Sequence, residues 1–296
     1  MSNTQIQAFD APEAGRLTTA MIEAFDRDGV IVLRDFVSVS ECRRLRQRAL
    51  ELVDEFDAES VRSIFSTTEQ SQLNDRYFFE SGDKIRFFFE HDAFDESGSL
   101  RQRKEDSLNK MGHAMHDLDP VFDEFSRTPK LAAAVESLGY RDPGILQSMY
   151  IFKPARIGGE VICHQDSTFL CTEPESCIGF WFALEDATLE NGCMHFIPGV
   201  HKLPLKQRHY RRDDGSFIIE TLDETPWSED KKVAAEAPVG TLVIFAGRTP
   251  HLSGPNLSGK SRHAYTLHVI DKHCHYPADN WLQRGPDMPL RGFERH

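Results

Sequence analysis

The 296 residues carry 34 Lys and Arg against 47 Asp and Glu, a formal net charge of -13, and are 40% hydrophobic and 27% charged. Such a composition is ordinary for a globular chain long enough to bury a substantial core. The acidic excess repels phosphate backbones and anionic bilayers, so neither nucleic acid nor a membrane is an expected partner.

Met1–Gly15 has no basic stretch followed by an apolar one, and no run of ~18 apolar residues occurs, so neither a secretory signal nor a spanning helix is expected. Six cysteines with no C-x-x-C pair then read as reduced thiols of a cytoplasmic protein, not as a disulfide framework or a structural zinc site. Leu17 to Asp28 predicts a helix stopped by Gly29, followed by a short strand from Val30 to Leu33. Ser38-Val-Ser-Glu41 forms a capping box. Behind it Cys42, Leu45, Ala49, Leu52, Val53 and Phe56 trace one face of a long helix. Ile85–Phe89 reads as a strand; Thr128-Pro129 opens a helix that Gly139 ends. From Ile145 the pattern changes to short β-type runs at Ile145–Phe152, Ile178–Leu184, Met194–Ile197, Thr241–Ala246 and Ala264–Ile270, separated by Gly, Pro and Asn turns. These runs predict a mainly β protein with flanking helices: an antiparallel double sheet, a cupin-like jelly roll, with helices on one outer face. Residues 1–296 read as one domain, with a helix-rich part over about 1–140 and a jelly-roll core over about 141–285. The polar stretch 202–236 reads as a lid-like insertion in that core.

His164-Gln165-Asp166 carries the main chemical signal. In an extended segment residues i and i+2 share a side, so His164 and Asp166 can offer an imidazole nitrogen and a carboxylate oxygen to one ion while Gln165 points away. His251, beyond the strand Thr241–Ala246 and a turn, is the candidate third ligand. Two His and one carboxylate on one face of an octahedron leave positions open for a co-substrate and O₂, which suits Fe(II) better than zinc. Arg262, one turn and the start of a strand beyond His251, can grip the distal carboxylate of 2-oxoglutarate through a bidentate fork. Among the other histidines, His113, His116, His195 and His201 read as solvated or ordinarily hydrogen-bonded, and His268 as a packed or hydrogen-bonded residue of the last strand.

The longer motifs go further. His164-Gln165-Asp166, Trp181, Glu185 to Cys193, Ile197-Pro198-Gly199-Val200-His201, His251 and Arg262 together resemble the phytanoyl-CoA dioxygenase family. Ser81 to Glu90, Asn109 to His116 and Gln147 to Phe152 resemble its phytanoyl-CoA dioxygenase domain-containing branch. The resemblance runs from about Gly29 to Trp281. It implies a double-stranded β-helix fold, Fe(II) and 2-oxoglutarate, with His164, Asp166 and His251 on the metal and Arg262 on the distal carboxylate. Lys110, Met149, Trp181 and Ser253 match the family's 2-oxoglutarate pocket. Val200 stands where the family often has Ser, in a turn away from the ligands. The implied reaction is hydroxylation of a small molecule, with succinate and CO₂ released. Family members that halogenate lack the carboxylate ligand, and Asp166 is present here. Two rival readings remain: a non-catalytic jelly roll that binds a metal or a small acid, and a cupin-type enzyme that does not use 2-oxoglutarate. Arg262 and Lys110 discriminate: if neither points into the metal cavity, the co-substrate reading fails. Within 202–236 the basic run Lys206–Arg212 makes Arg208, Arg211 and Arg212 candidate substrate contacts, suited to a carboxylate or a phosphate-bearing carrier such as coenzyme A.

Overall fold

A computed structural model describes residues 5–69 and 75–294. The chain opens with strand β1 (Ala8–Asp10), helix α1 (Thr19–Asp28), strand β2 (Val30–Arg34) and helix α2 (Val39–Glu55). Both helices start on a capping box, Thr18 with Met21 and Ser38 with Glu41, and Gly29 closes α1 at φ 74°. Next come α3 (Arg76–Phe79), β3 (Ile85–Phe89), β4 (Leu108–His113), α4 (Met115–Leu118), α5 (Pro120–Ser126) and α6 (Pro129–Ser137). Pro129 in the first turn and the Thr128 side chain at Leu131 N start α6 where the sequence predicts.

The remaining elements are strands: β5 (Pro143–Ile151), β6 (Val161–His164), β7 (Ile178–Ala183), β8 (Met194–Phe196), β9 (Gln207–Arg211), β10 (Phe217–Thr221), β11 (Val233–Ala235), β12 (Leu242–Ala246), β13 (His251–Ser253) and β14 (Ala264–Asp271). Among the described residues they form an eight-stranded sheet, β1-β2-β12-β7-β14-β5-β4-β3, a four-stranded sheet, β11-β8-β13-β6, and the separate hairpin β9-β10. This is the jelly-roll core, and it differs from the sequence expectation in two places. Four strands of the large sheet come from the part expected to be helix-rich, because β1 and β2 extend one edge and β3 and β4 the other. The insertion 202–236 is not all lid, since its end, β11, pairs with β8 in the small sheet.

Alternation along the strands assigns the faces. On β12, Val243 and Phe245 point between the sheets and pack with Trp181, Met194 and Phe196. Leu242 and Ile244 point outward and pack with Phe180, Tyr265 and the buried face of α2, Cys42, Leu45, Ala49 and Val53. The helices therefore cover one outer face of the large sheet, and its inner face is left to the small sheet and to the site. Gly179 on β7 is a packing requirement, because a Cβ there would lie 2.4 Å from the Phe245 ring. All six cysteines are free thiols. Among the described residues no helix is long and apolar enough to cross a membrane.

Candidate active site

The small sheet brings the distant ligands together. β13 runs antiparallel to β6, and His251 sits directly opposite His164 in the register. Their ring centroids are 4.3 Å apart. His251 thus opens a strand of its own, beyond the turn that follows β12. Gln165 is extended, at φ -115° and ψ 132°, so His164 and Asp166 straddle it. Its amide turns away to the Arg248 carbonyl and the Lys206 N–H.

One ligand atom from each of His164, Asp166 and His251 lies within 4.8 Å of the others, which is compact enough to hold one metal ion. The hydrogen bonds orient them for it. His164 Nδ1 is 2.8 Å from the Ile162 carbonyl and His251 Nδ1 is 3.0 Å from the Thr249 carbonyl. A carbonyl only accepts, so both Nδ1 atoms carry the proton and both Nε2 atoms present a bare lone pair. Each Nε2 faces Asp166 Oδ1, at 3.5 and 3.6 Å. The other carboxylate oxygen, Oδ2, accepts from His268 Nε2 at 2.8 Å. Burial works to raise the Asp166 carboxyl, but the adjoining His268 and His251 imidazoles outweigh it and hold it well below its usual range. Burial and the neighbouring His164 lower His251 to about 4, so its imidazole is neutral and ready to ligate.

A cavity of about 210 Å³ adjoins these ligands, and His164, Asp166, Met149, Lys110 and Arg262 all line it. Arg262 is 2% exposed, and its Nε has no hydrogen-bond partner. No carboxylate pairs with its guanidinium among the described residues, and the Trp181 ring lies 5.3 Å beneath it. Burial lowers it to about 10. Lys110 is buried too, with Nζ 3.3 Å over the Phe65 ring and 4.0 Å from Met149 Sδ, and burial pulls its ammonium well below its ordinary value. Two buried cations without counterions are costly unless an anion joins them, so the donor set fits a small dianion beside the metal.

Trp181 and Ser253 do not themselves line this cavity. Trp181 supports Arg262 from the inter-sheet core, and Ser253 Oγ accepts from Lys153 Nζ at 2.9 Å. The three arginines of the insertion also stand outside. Arg208 is held by Asp279 at 2.8 Å, and Arg211 and Arg212 are exposed. The β9-β10 hairpin does roof the cavity, but through Gln207, His209 and Ile219.

Several cavity residues escaped the sequence reading. His268 was read only as packed or hydrogen-bonded, yet it holds the Asp166 carboxylate. Its signal was parity: Arg262 and His268 are an even number of residues apart along an extended segment and so share a face. Lys153 donates to the Gly159 carbonyl at 2.7 Å, and burial, followed by the Arg262 guanidinium, lowers its ammonium to about 7. Glu90 accepts from the Gly159 N–H at 3.1 Å and fixes the loop before β6. Nothing local in sequence announced either residue, because burial gives them their character.

Comparison with known proteins places this geometry. The profile of the phytanoyl-CoA dioxygenase (PhyH) family matches residues 25–264. The phytanoyl-CoA dioxygenase of Arabidopsis thaliana is 48% identical over 273 residues, 91% of this chain and 95% of that protein. Phytanoyl-CoA dioxygenase domain-containing protein 1 of Bos taurus is 42% identical over 283 residues, 93% of this chain and 97% of that one. Among solved structures, the epimerase SnoN in complex with Fe3+, alpha-ketoglutarate and nogalamycin RO superposes with a TM-score of 0.62 at 16% identity, over 90% of this chain and 89% of that one. At that identity the likeness shows a shared fold.

Proposed function

The chain belongs to the phytanoyl-CoA dioxygenase family, and on that footing we propose that it hydroxylates a small organic molecule at a centre held by His164, Asp166 and His251. It is a 2-oxoglutarate-dependent non-haem iron dioxygenase. The observation that carries the site assignment is the His–Asp–His cluster beside two buried, unpaired cations in one cavity. When bound, Fe(II) and 2-oxoglutarate would supply, with O₂ as oxidant, oxidative decarboxylation to succinate and CO₂, one oxygen atom entering succinate and the other a C–H bond.

The chain's own residues bind and orient. The Nδ1 hydrogen bonds of His164 and His251 fix ring and tautomer, and His268 fixes the carboxylate so that Oδ1 remains for the metal. Arg262 receives the distal carboxylate of the co-substrate in a two-pronged grip, over the Trp181 face. Lys153 donates to Ser253 Oγ and to the Gly159 carbonyl, and so ties β13 to the loop before β6 beside the site. Lys110 and Met149 border the co-substrate from β4 and β5, and Phe65, Phe78, Phe169 and Trp281 keep water from the reacting end. A retained Asp166 leaves no ligand position for halide, which favours oxygen transfer.

The test uses purified protein with Fe(II), 2-oxoglutarate, isotopically labelled O₂ and a metabolite extract. Succinate should carry one labelled oxygen and one metabolite should gain another. A product formed with succinate release but without labelled oxygen would replace hydroxylation by desaturation or rearrangement. An absence of succinate would remove the assigned site.

A further inference from the structure

Gln147 is the polar residue of the Gln147–Phe152 motif that faces the metal side, and the co-substrate does not account for it. It is 5% exposed on β5 and lines the cavity. Its neighbours in the sheet are spoken for: Ser148 Oγ is 2.8 Å from His116 Nδ1, and Tyr150 Oη is 2.7 Å from His263 Nδ1. The Gln147 amide has no hydrogen-bond partner among the described residues, and unlike the enclosed Arg262 Nε it is not sealed from the cavity. An amide that has no partner in the protein and opens onto the cavity is free to pair with a bound molecule.

Register fixes where that ligand sits. Gln147 is directly opposite His268 in the β5-β14 ladder, and His268 donates to Asp166. The amide therefore stands one strand from the imidazole that holds the metal carboxylate. The cavity that it lines also has Phe65, Phe78, Phe169, Leu170 and Trp281 in its wall. A primary amide presents an acceptor and two donors side by side. Its best complement is a group that also donates and accepts from adjacent atoms.

We propose that Gln147 is a substrate-recognition residue, and that the substrate is a compact, largely apolar molecule bearing an amide-like group that pairs with the Gln147 side chain beside the metal. A bare hydrocarbon chain would leave the Gln147 amide unpaired, and a site built around such a polar group discriminates strongly against the analogue lacking its partner. This inference rests on the cavity being the active site.

Because the natural substrate is unidentified, the probes are benzamide and isopropylbenzene, which share shape and differ in the donor and acceptor. Both are titrated by calorimetry into protein loaded with Mn(II) and 2-oxoglutarate. The variant is Gln147→Met, of similar length and without the amide. The ratio of benzamide to isopropylbenzene affinity should fall about tenfold in the variant, the loss of one hydrogen-bonded group. An unchanged ratio overturns the proposal. Because Gln147→Met exchanges an unpaired amide for a thioether, it should also melt no lower than the wild type. A variant that melts clearly lower, or fails to fold, shows that the amide is already satisfied within the fold, which likewise overturns it. Wild-type protein that gains no thermal stability from 2-oxoglutarate contradicts the active-site reading itself. A normal gain with an unchanged probe ratio contradicts only the role of Gln147.

Discussion

Replacing Arg262 by Met should make the ligand-free protein more stable while making it blind to 2-oxoglutarate. The guanidinium is buried, unpaired, and lowered from its ordinary value to about 10 by that burial. At about 1.36 kcal/mol per pKa unit, keeping it charged costs the ligand-free fold about 3 kcal/mol. At pH 7 the group is charged in both the folded and the unfolded chain and the cost is fully present; it is relieved only as pH rises above about 10. Methionine keeps an unbranched stem over Trp181 and removes the charge. Its ligand-free melting temperature should therefore rise by roughly 2–6 °C, taking 1–3 kcal/mol as the net gain after some lost packing. In the wild type, 2-oxoglutarate at about 100 times its Kd adds about 2.7 kcal/mol. In Arg262→Met that increment should vanish. The assay is thermal unfolding by fluorescence with Mn(II), with and without 2-oxoglutarate. A variant with the full wild-type increment would take Arg262 out of the co-substrate site. One that melts well below wild type without ligand would show that the guanidinium already has a partner.

His268→Leu should weaken Mn(II) binding about tenfold, because Asp166 Oδ2 loses its donor, and His268→Gln should recover most of it; equal affinities in all three proteins would make His268 a bystander. Burial lowers His209 to about 4, below the usual 6.5 of an unfolded chain. The unfolded state therefore binds the extra proton first. Stability from this group is complete above about 6.5 and is lost as pH falls toward 4, by about 3 kcal/mol at most. His209→Phe should flatten the pH dependence of unfolding over that window, and an unchanged slope would contradict the assignment. Gly179→Ala should cost about 1–3 kcal/mol by forcing the Phe245 ring off β12, read as a lower denaturant midpoint with unchanged slope.

Much of this architecture was written locally. The capping box at Ser38 and the spacing of Cys42, Leu45, Ala49 and Val53 specify α2 without help from the rest of the fold. Thr128-Pro129 and Gly139 do the same for α6. The core strands from Ile145 onward stand out because β-branched and aromatic runs end in Gly and Pro turns. β4 was illegible, since Asn109, Lys110, Gly112 and His113 are poor strand formers and only pairing with β3 and β5 holds them extended. Short strands such as β13 carry too few residues to show a period, so His251 was expected beyond a turn with no strand of its own.

The site divided in the same way. His164 and Asp166 were readable because their geometry is local to three residues. Arg262 was readable from its spacing to His251 and from the family motif. Arg208, Arg211 and Arg212 were singled out by charge density, but alternation along β9 and the Asp279 contact direct Arg208 away from the cavity, Arg211 and Arg212 lie exposed at the end of the strand, and Gln207, His209 and Ile219 face the cavity instead. Lys153, Glu90 and Gln147 become conspicuous only once burial and missing partners are known, and a linear sequence records neither.

His164, Asp166 and His251 are proposed to hold an Fe(II) to which 2-oxoglutarate binds through its 2-oxo acid end. Anaerobic addition of 2-oxoglutarate to the Fe(II)-loaded protein tests it directly, because chelation of Fe(II) by a 2-oxo acid produces a visible charge-transfer absorption. The wild type should develop that band saturably, with one equivalent of iron, and His251→Ala should not develop it at any 2-oxoglutarate concentration. A His251→Ala protein that binds iron and shows the wild-type band would contradict the claim.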